Sequence, residues 1–177
     1  MLIKYFFFST EIIDLMVPVI IACGRDRADN LLDVVEFVDN NTNCKVDSFP
    51  TKLSGAVGIN GFVCGGSIID IASERRFSGC WYLNPSGKWT AVKDMLTRRK
   101  HFTLSKVEDE IIAIGGADTS QFTLKSIETY SLSNNTGWSR MKDAPRRIIH
   151  HCTVMLNASY LFVIGGNQQS QVNLKHL

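Results

Sequence analysis

The chain has 177 residues, of which 45% are hydrophobic and 20% are charged, and this composition is typical of a globular protein with a substantial core rather than of a disordered chain. Its formal net charge of +2 comes from dispersed residues, with short basic clusters only at residues 25–27 and 98–100. No basic stripe follows the pattern needed for a phosphate backbone, so we predict no nucleic-acid partner.

The first 16 residues form a segment of ambiguous character. Lys4 precedes an apolar run, as in a signal peptide, but Glu11 and Asp14 interrupt that run. A membrane span needs about 18 consecutive apolar residues, so we predict no membrane span. Residues 1–16 are interpreted as a ragged N-terminus or a weak signal-like segment, and we expect no further folded domain before the apolar strand at 17–23.

Short apolar segments recur along the rest of the chain. Segments 61–64 (GFVC), 111–114 (IIAI) and 160–164 (YLFVI) are rich in β-branched and aromatic residues and are bounded by turn formers, which predicts strands. Connections of about four to a dozen residues are too short for helical crossovers, so neighbouring strands must be antiparallel. Because several strands are apolar on both faces, each sheet needs another sheet on either side, as in blades stacked around an axis.

A pair of glycines follows each of these segments at a fixed interval. Gly66, Gly116 and Gly166 are separated by 50 positions each, a period typical of propellers and solenoids. Gly24, preceded by Cys23, marks an earlier and less regular unit. Four other residue types repeat after 48 or 49 positions: Tyr82 and Tyr130, Trp89 and Trp138, Arg98 and Arg147, His101 and His150.

The glycines and the aromatic residues are expected to have different structural roles. Glycine tolerates positive φ and has no Cβ, so the pairs Gly65–Gly66, Gly115–Gly116 and Gly165–Gly166 are expected to let the chain turn sharply out of a buried strand. Each Tyr and Trp that follows can bury about 150–250 Å². These residues are therefore expected to hold adjacent blades together.

The order of double glycine, Tyr, Trp and Arg in units of about fifty residues resembles the kelch repeat of β-propeller proteins. The resemblance covers nearly everything from Val17 onward. It implies an all-β kelch-type β-propeller of four-stranded antiparallel blades, in which the double glycine follows the second strand and the Tyr and Trp pack in the blade. The implied repeats are residues 17–58, 59–107 and 108–156, with a partial repeat at 157–177.

The repeats match the kelch pattern to different degrees. The third fits best, with Gly115, Gly116, Glu128, Tyr130, Trp138, Pro145 and Arg147. The second keeps Gly65, Gly66, Tyr82, Trp89 and Arg98. The first departs from the pattern, because Cys23 replaces the first glycine, Phe37 replaces the Tyr and no Trp follows.

The number of repeats bears on whether the propeller closes. Closed propellers have about four to eight blades, whereas this chain has three repeats and the start of a fourth, so we expect an incomplete, open propeller. The chain is then either a fragment of a longer kelch protein or a unit that pairs with another chain. Unclosed blades also predict self-association through unpaired strand edges.

The five cysteines include no C-x-x-C pair that would indicate a zinc or redox site. Under the kelch assignment, Cys64 and Cys80 fall on the second and third strands of one blade. If Gly66 pairs with Ser78, antiparallel register places these cysteines opposite each other, within reach of a disulfide. The sequence leaves open whether they form this disulfide in an oxidising compartment or stay as buried thiols in the cytosol.

Catalytic and metal-binding groups are sparse. The densest cluster, residues 150–152 (HHC), could place His150 and Cys152 on one face of a strand, but two groups make a poor metal site. The register between His101 and His150 indicates a structural histidine of the repeat. We predict no metal, no cofactor and no enzymatic activity; the alternative is part of a carbohydrate-active or oxidase-like propeller enzyme.

Binding is expected at the loops. Arg98 and Arg147 lead into the first strand of the next repeat, which in kelch folds lies near the central channel, and they could either clamp a carboxylate of a bound peptide or bond to neighbouring backbone carbonyls. The segments after the glycines vary between repeats and are candidates for specificity. These segments contribute the candidate binding residues Arg75, Arg76, Gln121 and Gln168.

The resemblance implies a non-catalytic protein-recognition module whose protein partner the sequence does not identify. Two settings remain open: an intracellular adaptor that presents clients, for example to ubiquitin ligases, and a secreted recognition protein stapled by disulfides. Three Asn-x-Ser/Thr sequons, at Asn40, Asn134 and Asn157, are compatible with secretion, but Asn, Ser and Thr are also typical of turns.

Overall fold

The computed structural model describes residues 19–21, 24–25, 31–32, 35–37, 47–70, 73–118, 122–134, 136–157 and 160–167, with side chains from residue 47 onward except at 69–76 and 157. These residues form sixteen strands and no helix, so this part of the chain contains no helix that could cross a membrane. In chain order the strands are β1 Val19–Ile21, β2 Gly24–Arg25, β3 Leu31–Leu32, β4 Val35–Phe37, β5 Val57–Ile59, β6 Phe62–Cys64, β7 Ser67–Asp70, β8 Ser73–Arg76, β9 Cys80–Leu83, β10 Trp89–Val92, β11 Thr103–Val107, β12 Glu110–Ile114, β13 Ile127–Ser131, β14 Trp138–Arg140, β15 Ile149–Asn157 and β16 Tyr160–Asn167.

Two complete four-stranded blades make up the middle of the chain. The second blade has the strand order β10-β9-β6-β5, and the third blade has the order β11-β12-β13-β14. All of these pairs are antiparallel, and in the second blade the β7–β8 hairpin is inserted between β6 and β9. The prediction of an all-β protein with four-stranded antiparallel blades is confirmed.

The first and fourth units are described only in part. The first unit contains two antiparallel pairs, β1 with β4 and β2 with β3, and Gly24 lies in β2 opposite Leu32. The fourth unit contributes the hairpin of β15 and β16, which corresponds to the first two strands of a blade. The described residues include no further strand of this blade, in agreement with a partial propeller.

The second and third blades pack face to face. Their shared core is formed by Phe62, Cys64, Cys80, Met95, Phe102, Leu104, Ile111, Ala113, Tyr130 and Trp138. The opposite face of the second blade buries Val63 and Trp81 against Phe49 and Leu53. Phe62 and Val63 are each 2% exposed although they point to different faces, which explains why β6 is apolar throughout.

The double glycine follows the second strand of each complete blade, at Gly65–Gly66 and at Gly115–Gly116. All four glycines have positive φ, between 61° and 94°. A Cβ on Gly115 would lie 2.6 Å from the carbonyl oxygen of Ile148. Glycine is required here because the chain leaves the blade in a left-handed conformation and passes directly against the connection to the next blade.

The aromatic landmarks are not all equivalent. Tyr130 pairs with Trp138 across β13 and β14 and is 3% exposed, whereas in the second blade it is Leu83 that pairs with Trp89. Tyr82 is 38% exposed on the opposite face of β9. The expectation that Tyr82 packs as Tyr130 does is therefore wrong. Because side chains alternate across a strand, an offset of one residue turns the side chain outward.

Candidate binding surface at the double-glycine end

Two kinds of connection meet at the end of the blades where the second strands finish. The N–H of Gly66 donates to Arg99 O at 2.9 Å, and the N–H of Gly116 donates to Ile148 O at 2.9 Å. These bonds hold the segments after the glycines against the connections that lead to the next blade. We define the double-glycine end as residues 65–79, 93–102, 115–126 and 141–148.

The two repeated arginines at this end differ in their surroundings. Arg147 is half-buried, and its Nη1 donates to Thr123 O at 2.7 Å, so it ties the connection to the post-glycine segment of the third blade. Arg98 is exposed. Arg147 therefore bonds to a neighbouring backbone carbonyl, which is one of the two roles expected for these arginines. Arg98 instead presents its guanidinium at the surface.

The sequence pattern does not distinguish Arg99, yet this residue is fully buried at the same end. Its Nη1 donates to Gly115 O at 2.8 Å and to Ser126 O at 3.1 Å, and its Nη2 donates to Ser126 Oγ at 3.1 Å and to Glu128 Oε1 at 2.5 Å. The other carboxylate oxygen of Glu128 accepts a hydrogen bond from Leu96 N–H at 2.8 Å. Arg99 therefore joins the connection after the second blade to the third blade.

The Arg99–Glu128 pair is a buried ion pair. Burial lowers the pKa of the Arg99 guanidinium, and the Glu128 carboxylate raises it in opposition. A guanidinium stays protonated in proteins, so Arg99 keeps its positive charge inside the fold. The counterpart of Arg99 in the next connection is Ile148, which accepts the equivalent glycine hydrogen bond. A comparison of the repeats therefore gives no signal for Arg99.

The exposed charge at the double-glycine end is mainly basic. Asp143 is neutralised by Arg140 at 2.9 Å and Lys125 at 3.3 Å, and the hydrogen bond from Arg140 is the main reason why the pKa of its carboxyl is lowered. Arg98 and Arg146, by contrast, are exposed on two successive connections. This end can therefore present guanidinium groups to an anionic partner.

The remaining candidate binding residues fall in the post-glycine segments. Arg75 and Arg76 lie in β8, where they pair with Ile68 and Ser67 of β7 across the inserted hairpin. Their side chains are outside the part of the chain that the structure describes. Gln121 and Gln168 lie outside the described residues altogether.

Of the two histidines in repeat register, His101 lies within the double-glycine end and His150 follows its last segment by two residues. His101 and His150 both have positive φ, at 54° and 56°, and their ring centroids are 4.4 Å apart. His151 is 6% exposed, and its Nε2 lies 3.0 Å from Thr103 Oγ1. Burial lowers the pKa of His151, and the charge of the neighbouring His150 lowers it further. Among the described residues, no group of three or more His, Cys, Asp or Glu side chains is arranged to hold a metal ion.

The two cysteines of the second blade are covalently linked. Cys64 lies directly opposite Cys80 across β6 and β9, with their Cα atoms 4.2 Å apart, and the two sulfur atoms form a disulfide. The predicted pairing is confirmed. Both residues lie in the core between the blades, whereas Cys152 is an exposed free thiol. The disulfide closes the base of the second blade's post-glycine segment and so restrains part of the candidate surface.

No family model matches the chain, but several curated proteins are similar to it. The chain is 32% identical over 150 residues to Kelch-like protein 36 of Rattus norvegicus, which covers 80% of this chain and 24% of that protein. It is 34% identical over 85 residues to beta-scruin of Limulus polyphemus, covering 48% of this chain and 9% of that protein. It is 31% identical over 75 residues to Kelch repeat and BTB domain-containing protein 2 of Ectromelia virus (strain Moscow), covering 42% of this chain and 13% of that protein.

The chain thus spans about a quarter of the length of Kelch-like protein 36 and less of the other two proteins. The similarity to Kelch-like protein 36 extends over most of the chain. The structural repeat also extends over most of the chain, and in each complete blade a double glycine follows the second strand. From this agreement between sequence similarity and blade structure, we conclude that the chain belongs to the kelch-repeat family.

Proposed function

We propose that these kelch blades form a non-catalytic module that recognises a protein partner through the double-glycine end. The observation that carries the proposal is the pair of hydrogen bonds from Gly66 and Gly116, which fix the variable post-glycine segments on a packed two-blade core. Loops on a rigid scaffold commonly carry recognition. None of the similar proteins reported above is named as an enzyme, which favours binding over the alternative of a carbohydrate-active or oxidase-like enzyme.

The partner that fits this surface is an acidic protein segment. Arg98 and Arg146 are exposed, and guanidinium groups bind carboxylates through two parallel hydrogen bonds. Arg147 is engaged by Thr123 O, so its role is to position the post-glycine segment of the third blade rather than to contact the partner. In this proposal the remaining, partner-specific contacts come from Arg75, Arg76, Gln121 and Gln168.

Two observations support different cellular settings for this module. One similar protein is named for both kelch repeats and a BTB domain, which supports an adaptor in which the blades hold the client. The Cys64–Cys80 disulfide supports a secreted recognition protein, because structural disulfides persist in oxidising compartments. The redox state of these cysteines in the native protein distinguishes the two settings.

The hairpin of the fourth unit supports self-association as a further property of the module. Its large apolar side chains on one face are 48–68% exposed: Val154, Leu156, Phe162 and Ile164. In the second blade, the face that carries Phe62 and Cys64 is covered by the third blade. The corresponding face of the hairpin is exposed, and in this proposal an apolar blade face from a second copy of the chain covers it.

Binding to synthetic acidic peptides tests the recognition proposal. An array of Asp- and Glu-rich peptides is probed with the protein, and the affinities of the peptides that bind are measured by fluorescence anisotropy. Replacing Arg98 and Arg146 together by Ala is expected to weaken binding by about tenfold or more, the loss of two charge-assisted contacts. Lys88→Ala is the matched control, because Lys88 is exposed on the β9–β10 turn at the other end of the blades.

The control separates local recognition from general charge attraction. If Lys88→Ala weakens binding as much as the double Arg variant does, the attraction is not located at the double-glycine end. If the double Arg variant binds as the parent protein does, the proposed surface is wrong.

A further inference from the structure

Three residues occupy the same place in successive repeats, where the first strand of a blade begins: Gly55 and His101, two residues before β5 and β11, and His150, the second residue of β15. The residues that precede the first two, Ser54 and Lys100, each form a β-bridge to the residue that follows the double glycine of their own blade. All three positions have a left-handed backbone, with φ of 69°, 54° and 56°. The repeat therefore requires positive φ at this place.

Glycine meets that requirement in the first of these positions, but histidine occupies the next two. A residue with a Cβ adopts the left-handed region less readily than glycine does, although histidine is among the residues enriched there. A side chain other than hydrogen is kept at such a position where the surroundings or the function of the site require it. His101 and His150 thus carry an imidazole at a position of the repeat where the fold needs only positive φ, which glycine provides at Gly55.

The two imidazoles meet across the boundary between the third blade and the fourth unit. Their ring centroids are 4.4 Å apart and the rings are tilted by 53°. The backbone is also linked there, because His150 N–H donates to His101 O at 3.2 Å. Positions in this row lie close enough for side chains of neighbouring blades to touch, since a Cβ on Gly55 would lie 3.5 Å from His101 Cε1.

We propose that His101 and His150 together bind a divalent transition-metal ion of the Zn²⁺ or Ni²⁺ type, with water in the remaining coordination positions. Neutral imidazole is a preferred ligand of these ions. With metal–nitrogen bonds of about 2.0–2.1 Å and a tetrahedral angle, two imidazole centroids lie about 5 Å apart. The observed distance between the centroids is shorter than this, so the two rings must move slightly apart to bind an ion. The side chain of His150 can make this movement because it is exposed.

Two protein ligands alone make a weak metal site, so the bound ion exchanges with solvent and is not a structural metal. The adjacent His151 does not join it, because this residue is buried and its Nε2 is bonded to Thr103 Oγ1. His101 belongs to the double-glycine end, but the proposed site rests on the two histidines and not on the recognition of a protein partner.

Zinc binding to the tag-free protein tests the proposal by isothermal titration calorimetry. One Zn²⁺ per chain is expected, and His101→Gly or His150→Gly is expected to weaken binding by about tenfold or more, because each leaves a single imidazole ligand. Glycine is the suitable replacement, since it accepts the positive φ as Gly55 does, so the melting temperature is expected to be unchanged or higher. His176→Gln, which removes a different histidine, is the control and is expected to leave the affinity unchanged.

Two outcomes contradict the proposal. One is an affinity for Zn²⁺ that either glycine variant leaves unaltered. The second test is proton NMR of the parent protein, in which paramagnetic Ni²⁺ is expected to broaden the ring signals of His101 and His150 more strongly than those of the other two histidines. Broadening centred on His151 or His176, or no broadening at all, places any bound ion elsewhere.

Discussion

The indole Nε1 of Trp138 donates a hydrogen bond to Lys93 O at 3.0 Å, and this bond joins the third blade to the connection that follows the second blade. Trp89 makes the same kind of bond one repeat earlier, with its Nε1 3.0 Å from Asp47 O. In both repeats the Trp is thus bonded to a segment that precedes its blade. The two side chains differ in burial, because Trp138 is 7% exposed and Trp89 is half-buried.

Truncation of the two Trp residues is expected to have unequal effects. Trp138→Ala is expected to lower the free energy of unfolding by about 3–5 kcal/mol, the usual cost of deleting a buried large aromatic side chain. For Trp89→Ala we expect a smaller loss of about 1–3 kcal/mol, since part of its ring surface already contacts water. Chemical denaturation measures both values.

A variant that keeps the ring separates packing from hydrogen bonding. Trp138→Phe removes the bond to Lys93 O but retains aromatic packing against Phe62 and Tyr130, so its loss is expected to be well below that of Trp138→Ala. Losses under about 1 kcal/mol for Trp138→Ala would contradict the packing of the two blades described here.

The blade architecture could be predicted from the sequence because its signals are local and repeated. Apolar segments such as 61–64 and 111–114 mark strands that are buried on both faces, and the glycines that follow mark the turns out of them. The pairing of Cys64 with Cys80 followed from the kelch assignment of the strands and an assumed pairing of Gly66 with Ser78 in antiparallel register. Each of these features depends on residues that are close in sequence or on a simple pairing rule.

The features that could not be predicted depend on register and on contacts between repeats. Spacing alone aligns Tyr82 with Tyr130, but a single-residue offset in β9 places Leu83 in the buried position. The sequence also does not reveal the role of Arg99, because its carboxylate partner Glu128 is 29 residues away in the next blade. Neither outcome has a signal in composition or periodicity.

The Arg99–Glu128 pair is expected to show strong energetic coupling. Arg99→Met or Glu128→Gln alone is expected to cost about 3–5 kcal/mol of unfolding free energy, because each leaves a buried polar or charged partner without its counterpart. The double variant is expected to lose much less than the sum of the two single losses. Additive losses in chemical denaturation would show that the two side chains do not stabilise the fold as a pair. Arg98→Met, at the exposed neighbour, is the control and should change stability by no more than about 0.5 kcal/mol.

Stability is expected to decrease in mild acid because of His151. Burial, and then the charge of His150, lower the pKa of this imidazole below its usual value of 6.5. The unfolded chain therefore takes up a proton at a higher pH than the folded chain, so stability is fully present above about pH 6.5 and decreases as the pH falls toward the folded-state pKa. Denaturation midpoints measured from pH 8 to pH 5 should show this slope.

A substitution assigns the acid sensitivity to one side chain. His151→Gln can still bond to Thr103 Oγ1 but does not titrate, so its stability should vary less with pH than that of the parent protein. His176→Gln removes a different histidine and should retain the parent slope. An unchanged slope in His151→Gln would assign the acid sensitivity to other groups.

The exposed face of the β15–β16 hairpin is expected to make the protein self-associate at micromolar concentration. Val154 and Phe162 are paired across the hairpin and are 50% and 48% exposed, and apolar patches of this kind are typical of interfaces. Light scattering measures the mass. Val154→Lys together with Phe162→Lys should shift the protein toward the monomer, whereas Thr90→Lys, at an exposed position of β10, should not. A monodisperse monomer of the parent protein would contradict the expectation.

Reduction of the Cys64–Cys80 disulfide is expected to lower the free energy of unfolding by about 3 kcal/mol, because the bond restrains a short loop of the unfolded chain. The measurement is chemical denaturation with and without a phosphine reductant, in a Cys152→Ser background that removes the exposed thiol. A Cys64→Ala, Cys80→Ala variant is the control, since its stability should not respond to the reductant. If the parent protein is equally unresponsive, the disulfide does not stabilise the blade. Non-reducing peptide mapping of the protein from its native source then decides its setting: a Cys64–Cys80 link favours the secreted protein, and free thiols at both positions favour the intracellular adaptor.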